Sequence, residues 1–449
     1  METTQRERFS YYGYSFGQIM IYMILTSFLQ IYMTDIAIPA ATVGTILLIA
    51  RVLDAVYDPF FGIIVNKSKW KTGKYTPWLR ISTFLIAGLT ILLFAVPASL
   101  DLWVKILLAA GLYIIWGMCY TLCDVPYFSL VTVMTGSVTE RNTILSRGRL
   151  FSLIGTAIIA SLFPLAYPKT GWFWGVFIFT VLSFAVMTPL GRVAKERHPV
   201  TEEAPSLLAL LKAVGRNKYL LVFCLAFMVA NITNTILTVN GYFAIYCLGG
   251  PEMISITMTV PMLFAAVFCA LVPAIIKKVD KFDLYMVATA VGVVSSIVMY
   301  LAGYSNFTLY MVLSTIRIVA VTYTSSFMIL FVVDCAEYGR YKTGEDSTAV
   351  TVSLQTFTAK ALGALSAALG MFILGLSGFV DGADAVQPPA VLDTLWILVS
   401  ILPAAGLIVS FFILLFGYKL RDRDVQIMSK VNQKLLSREA AETMLSRKY

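Results

Sequence analysis

Residues 50–78 read ARVLDAVYDPFFGIIVNKSKWKTGKYTPW, an apolar segment with three charges near its start that runs into a cluster of lysines. With residues 39–49 before it, the apolar part exceeds the roughly 20 residues that a helix needs to cross a hydrocarbon core. Arg51, Asp54 and Asp58 lie three and four positions apart and share one helical face. Ionisable groups are expensive at membrane depth, so such a face turns toward protein or water and marks a pathway. Lys67, Lys69, Lys71 and Lys74 then close the segment as an inner loop would.

The rest of the chain has the same character. Of its 449 residues 59% are apolar and 13% charged, against about 25% charged in a soluble domain, and the mean hydropathy is +0.81. A water-soluble fold could not hide that much apolar surface. Twelve spans can be delimited, at residues 12–34, 39–63, 81–100, 106–132, 148–168, 171–191, 219–246, 252–276, 284–303, 306–333, 347–379 and 391–417. The leader METTQRERFS has no cleavage-type segment behind it, so the first span reads as retained. Of 34 basic residues, 28 fall in the leader, the even-numbered loops and the tail, and only Lys105 and Lys169 in the opposite loops. Both termini are therefore expected in the cytoplasm. The formal +9 is mostly topology, and no basic domain stands ready for nucleic acid. Compact loops and short tails suggest a bacterial inner membrane.

The hydrophilic stretch 192–218 separates six spans from six, giving an N-terminal bundle (1–191), a linker, a C-terminal bundle (219–417) and a tail (418–449). The halves echo each other: Asp124 returns as Asp334, Arg149 as Lys360, and the basic loop at Lys67 as Lys277 to Lys281, each about 210 positions on. Three coincidences at one offset favour duplication. The expected architecture is an all-α membrane protein of twelve transmembrane helices in two six-helix bundles, the major facilitator fold, with substrate held between the halves. The tail reads as a solvated or membrane-surface amphipathic helix with Val425, Met428, Val431 and Leu435 on one face. Six cysteines lie in or beside spans without metal spacing, and the single histidine, His198, lies in a loop. A metal-dependent or histidine-dependent enzyme is not expected, nor a cofactor beyond a co-transported ion.

Asp54 and Asp58, one turn apart, can offer oxygens to a small hard cation or share a proton. Two carboxylates in low dielectric need a counter-charge, supplied by bound Na⁺, by a proton or by Arg51. A permanent Arg51–Asp54 pair that only packs helices would leave Asp58 unexplained. Asp124 in YTLCDVPYFSL and Arg149 in SRGRLFS can accept from and donate to sugar hydroxyls. Tyr120 and Phe128 flank Asp124 by one turn each and offer stacking faces, ahead of Tyr11, Tyr14, Phe16 and Tyr127. Lys360 in QTFTAKALG can bridge the carboxylates to the other half. Asp334, Glu337 and Arg340, at the cytoplasmic edge, read as a gate or a structural network.

The segment 50–78, then YTLCDVPYFSLV (120–131), DCAEYGRYKTG (334–344) and QTFTAK (355–360), together resemble the glycoside-pentoside-hexuronide:cation symporter family over essentially all spans. The resemblance implies a major facilitator fold, cation-coupled uptake by alternating access, and a sugar or glycoside substrate. By position it implies that Asp54 and Asp58 bind the cation, with Thr121 a further ligand. Asp124, Phe128 and Arg149 fall where the family contacts sugar, and Lys360 resembles its lysine near the ion site. Two positions depart from the family pattern. Ile19, preceded by Gln18, stands where a sugar-binding carboxylate is found in relatives, and Tyr57 replaces the amide that tunes ion choice, which leaves H⁺ beside Na⁺ as coupling ion. A rival reading within the same fold is a lysolipid or amphiphile symporter, against which the polar pair Asp124 and Arg149 argues. A non-transporting membrane sensor lacks any added soluble domain. A single chain, in the bilayer, with sugar and a monovalent cation as partners, is expected to suffice.

Overall fold

The computed structural model describes residues 2–68, 70, 73–198, 217–275, 279–343, 365–382 and 385–447. Each expected span that falls among them is helical over most of its length, the third ending early at Leu93. In chain order the helices are α1 (Gln5–Asp35), α2 (Ala40–Lys67), α3 (Thr76–Leu93), α4 (Leu102–Met134), α5 (Val138–Met187), α6 (Leu190–Val193), α7 (Lys218–Ala230), α8 (Thr235–Cys247), α9 (Glu252–Ile275), α10 (Lys281–Ala302), α11 (Phe307–Thr343), α12 (Leu365–Leu376), α13 (Pro389–Gly417), α14 (Asp422–Asn432) and α15 (Arg438–Met444). Among the described residues eight helices are long and apolar enough to cross a membrane. No strand occurs among these residues.

The fifth and sixth spans, both within α5, are separate helices that meet at a kink at Gly171, whose φ of +79° favours glycine. The seventh is interrupted by a 3₁₀ turn at Asn231–Asn234. There the Ser366 hydroxyl donates to the Asn231 carbonyl at 2.8 Å and the Asn231 amide to the Phe227 carbonyl at 2.7 Å, so the freed backbone groups find partners.

The repeat is visible in how helix ends are finished. α3 and α4 start at positions 76 and 102, and α10 and α11 start 205 positions later, at 281 and 307. Glu196, just past α6, accepts from the backbone N–H of Lys74, Tyr75 and Thr76 at 2.6–2.9 Å and so caps α3. Asp422, at the corresponding place in the second half, accepts from the backbone N–H of Lys281 at the start of α10. Both carboxylates satisfy donors that a helix start leaves open.

The chain forms two compact units. The first comprises Met1–Glu202, Leu237–Thr259 and Ala367–Leu395, and the second Glu203–Ile236, Val260–Ser366 and Trp396–Tyr449. In the first, Lys105 is buried in the opening turn of α4, and its ammonium donates to the carbonyls of Ile36 (2.6 Å) and Ala98 (3.3 Å). One of the two basic residues on the lysine-poor side thus finishes a helix end.

In the second unit the tail departs from the solvated or membrane-surface reading. Val425, Ile427 and Met428 are buried, and Val425 and Met428 belong to the same core as Phe331, Val332, Tyr338 and Tyr341 of α11. Asn432 donates to Glu337 at 2.7 Å, and Lys281 bridges Asp334 (2.6 Å) and Asp422 (3.0 Å). Leu435, expected on the apolar face, is 73% exposed. The expected apolar face is present over its first two turns, but protein covers it.

Arg317 of α11 is 1% exposed, and its guanidinium donates to the carbonyl of Val399 in α13. That carbonyl precedes Pro403 by four residues, and a proline has no N–H to offer it. Replacing Arg317 with Met should therefore cost about 1–3 kcal/mol through the orphaned carbonyl. The loss should shrink in a Pro403→Ala background, where the helix supplies the missing N–H. Thermal unfolding of the detergent-solubilised single and double variants checks this coupling.

Candidate functional site

The expected site residues on α1, α2, α4 and α5 lie in the first unit and arrange themselves in layers. Asp124 sits ten residues before the end of α4, and Arg149 sits eleven residues after the start of α5. At 1.5 Å per residue both lie about 15 Å from the turn that joins the two helices. Side-chain contacts bear out this level: an added Cβ on Gly148, next to Arg149, would lie 3.2 Å from Tyr11 and from the Tyr127 hydroxyl.

In this layer the Gln18 amide donates to Asp124 Oδ1 at 3.1 Å, joining α1 to α4. Arg149 is exposed, and among the described residues its guanidinium has no ion pair or hydrogen bond. An accepting group beside it, such as a sugar hydroxyl, would find a donor with fixed fork geometry already charged. Phe128, one turn below Asp124, is 56% exposed. Tyr120, one turn above, stacks on Trp116 with ring centroids 4.9 Å apart. Tyr11, Tyr14 and Tyr127 are buried in a stack with centroids 4.5 and 5.3 Å apart, so they build the wall of the site. Ile19 packs against α5, where an added Cβ on Gly155 would lie 2.7 Å from its Cγ2.

Two turns further along α4, about 10 Å from Asp124, lies the charged face of α2. Arg51 Nη1 donates to Asp54 Oδ2 at 3.2 Å, and the Tyr57 hydroxyl donates to Asp54 Oδ1. Both carboxylate oxygens are engaged within α2. The pair fits against α4 because position 117 is glycine: an added Cβ there would lie 2.8 Å from both Asp54 Oδ1 and the Tyr57 hydroxyl. Thr121, one turn nearer Asp124, is buried and donates to the Gly117 carbonyl at 3.3 Å. Asp58 follows Asp54 by one turn of α2. Its side chain, and Lys360 altogether, lie outside the described residues.

Three residues absent from the sequence reading complete the layer. Tyr22 and Tyr113 place their hydroxyls beside the Arg51 guanidinium, and Gly117 admits the Asp54–Tyr57 pair. Spacing carried a signal for them. Tyr113, Gly117, Tyr120 or Thr121, and Asp124 follow at three and four along α4, and Gln18 and Tyr22 do so along α1. Asp334 and Glu337 are brought into the second unit's tail network with Lys281 and Asn432, and Arg340 lies half-buried on the same helix.

No group of three or more His, Cys, Asp or Glu side chains that could hold a metal occurs among the described residues. The arrangement offers acceptors and donors in one layer and a shielded carboxylate in the next, which suits binding and release of a polar solute.

Comparison with known proteins gives consistent results. A family model described as MFS/sugar transport protein matches residues 11–422. An uncharacterized symporter, YjmB, of Bacillus subtilis is 29% identical over 96% of this chain and 95% of its own length. A glucuronide carrier protein homolog of Escherichia coli is 27% identical over 95% and 97%. The crystal structure of the nucleoside transporter NupG shares the fold, with a TM-score of 0.67 over 92% of this chain and all of that one at 13% identity.

The tight fit at Gly117 is directly testable. Gly117→Ala should push Asp54 and Tyr57 off α4 and lower gradient-driven uptake at least fivefold in membrane vesicles. Membrane abundance, read by immunoblot, should stay near wild type.

Proposed function

The chain belongs to the MFS/sugar transport protein family and is a transporter, not an enzyme; we propose that it takes up a sugar or glycoside by symport with protons. The observation that carries this reading is the engagement of both Asp54 oxygens, by Arg51 and by Tyr57, one layer beyond the Gln18–Asp124 pair and Arg149, which has no partner among the described residues. A Na⁺ ion seeking Asp54 would meet a fixed positive charge on one oxygen and a hydroxyl on the other. A proton needs only one carboxylate, and Asp58 is the acid of the face that the Arg51 charge does not already balance. The glucuronide carrier homolog and the symporter among the relatives support a sugar substrate and ion coupling.

In this reading Asp124, with Gln18 beside it, accepts from substrate hydroxyls and Arg149 donates to the substrate. Phe128 and Tyr120 border the ring, Thr121 links the substrate layer to the ion layer, and Lys360 bridges to the second half. Alternating access rocks halves 1–191 and 219–417 about the site. The Lys and Arg asymmetry supports cytoplasmic termini in a bacterial inner membrane. Transport needs no cofactor and one copy of the chain.

Uptake of candidate glycosides into vesicles, with pH and Na⁺ gradients imposed separately, tests substrate and ion together. A pH gradient should drive accumulation and a Na⁺ gradient should not. Asp58→Cys should bring the accumulation ratio down to about one while exchange persists. Arg149→Ala should raise KM at least tenfold. Full accumulation by the Asp58 variant, or accumulation driven by Na⁺ alone, would refute the assignment.

A further inference from the structure

One end of the first unit is closed by segments from distant parts of the chain. By the Lys and Arg asymmetry this is the outer end. α2 begins after Pro39, which offers no side-chain cap. The open N–H of Ala40 is instead taken by Asp381 Oδ1 at 3.1 Å, from the loop between α12 and α13. The next residue, Gly382, donates its N–H to the carbonyl of Thr34 near the end of α1 at 2.9 Å, with a φ of +122° that favours glycine. The loop therefore grips both sides of the α1–α2 turn. Gln387 holds the loop in shape by accepting from the Val380 N–H (3.0 Å) and donating to its carbonyl (2.7 Å).

Beneath the loop the helices meet through glycines. An added Cβ on Gly375 of α12 would lie 2.8 Å from the backbone nitrogen of Ala41. One on Gly44 of α2 would lie 3.1 Å from Met371 Cβ. Thr34 and Tyr242 of α8 share a hydrogen bond of 3.0 Å, and the Tyr242 hydroxyl also donates to the Gln30 carbonyl at 2.7 Å. Backbones this close exclude a water-filled path through the seam.

We propose that the Val380–Gly382 loop is a latch that holds the outer end of the transporter shut, and that a proton on Asp381 favours the shut state. The latch is distinct from the ion and substrate layers, and the symport reading supplies only its place in the cycle. Tyr242 and Tyr246 of α8 lie within reach of the Asp381 charge, and Asp35 at the end of α1 acts on the same two tyrosines, with Gln387 beside Tyr246. The ammonium of Lys105, at the same end of the unit, is occupied by carbonyls. No cation among the described residues pairs with Asp381, and burial pushes its pKa up from the ordinary 3.8 to about 6 against the pull of the Ala40 N–H. A carboxyl that is raised in the shut state binds its proton more tightly there. Closure is therefore favoured as pH falls through about 6 and is weakened above it. A proton-coupled cycle would use this sense: the outer side shuts once a proton has been taken from outside.

The test uses the full chain in liposomes, in a background without the native cysteines. Spin labels go on Trp103→Cys and Val386→Cys, at side chains 67% and 90% exposed at this end. Electron–electron distance distributions are recorded from pH 5 to pH 8. The ratio of short to long distances should rise about tenfold between pH 7 and pH 5 in the otherwise wild-type chain. Asp381→Asn, which keeps an acceptor without the charge, should be short at every pH. Asp381→Ala should be flat with pH and shifted toward long distances at pH 5. A flat ratio in the otherwise wild-type chain overturns the proposal, and so does a pH slope that survives in Asp381→Asn. Because the readout needs no substrate, a failure of sugar uptake would leave these distances interpretable, and flat distances would leave the symport assay standing.

Discussion

A polar group left without a partner away from water costs about 1–3 kcal/mol or more, and this constraint organises the described helices. It accounts for the Arg317 guanidinium on the carbonyl that Pro403 orphans, and for the Lys105 ammonium on the end of α1. It also accounts for the carboxylates of Glu196 and Asp422 on the starts of α3 and α10. Each is a charge spent on backbone. Charges spent this way stabilise the fold and are lost to chemistry.

In the proposed site the same constraint separates engaged charges from idle ones. On α2 the Arg51 charge is spent on Asp54, whose other oxygen is spent on Tyr57. Gln18 is spent on Asp124, though a carboxylate has lone pairs to offer beyond one amide. Arg149 is spent on nothing among the described residues, at a depth where an idle guanidinium is costly unless water or substrate reaches it. A substrate that brings hydroxyls to Asp124 and acceptors to Arg149 would satisfy both groups together. Departing, it would return them to water, which keeps binding reversible.

Much of this was legible in the sequence because a membrane compresses the folding problem into one dimension. Span positions follow from hydropathy, and the charged face of α2 follows from the spacing of Arg51, Asp54 and Asp58. The repeat follows from Asp124 and Asp334 at one offset. Contacts between helices were not legible. Gln18 could be placed on α1 from its number, but its bond to Asp124 depends on how α1 is rotated against α4. Gly117 looks like any helix glycine until the Asp54–Tyr57 pair is set against it. The tail was misjudged for a similar reason. Val425 and Met428 announce an apolar face, and nothing local says whether lipid or protein will cover it. The break at Asn231–Asn234 was missed because hydropathy averages over a turn whose polar groups are satisfied by Ser366, far away in sequence.

Helix α2 ties these levels together. Its first N–H is held by Asp381, its early turns pack on Gly375 and Met371, and its middle carries Arg51, Asp54 and Tyr57 against Gly117. A helix held by internal hydrogen bonds moves as a rod over a few turns, so a shift of its outer end reaches Asp54 with little loss. The glycine contacts set how far it can shift. At Gly375 and Gly117 there is no side chain to compress, so any approach beyond the present one meets backbone or the carboxylate itself. Proton occupancy on the charged face and closure of the outer end, as proposed, would therefore act on one rigid element, and neither would require a signal to pass through side chains in between.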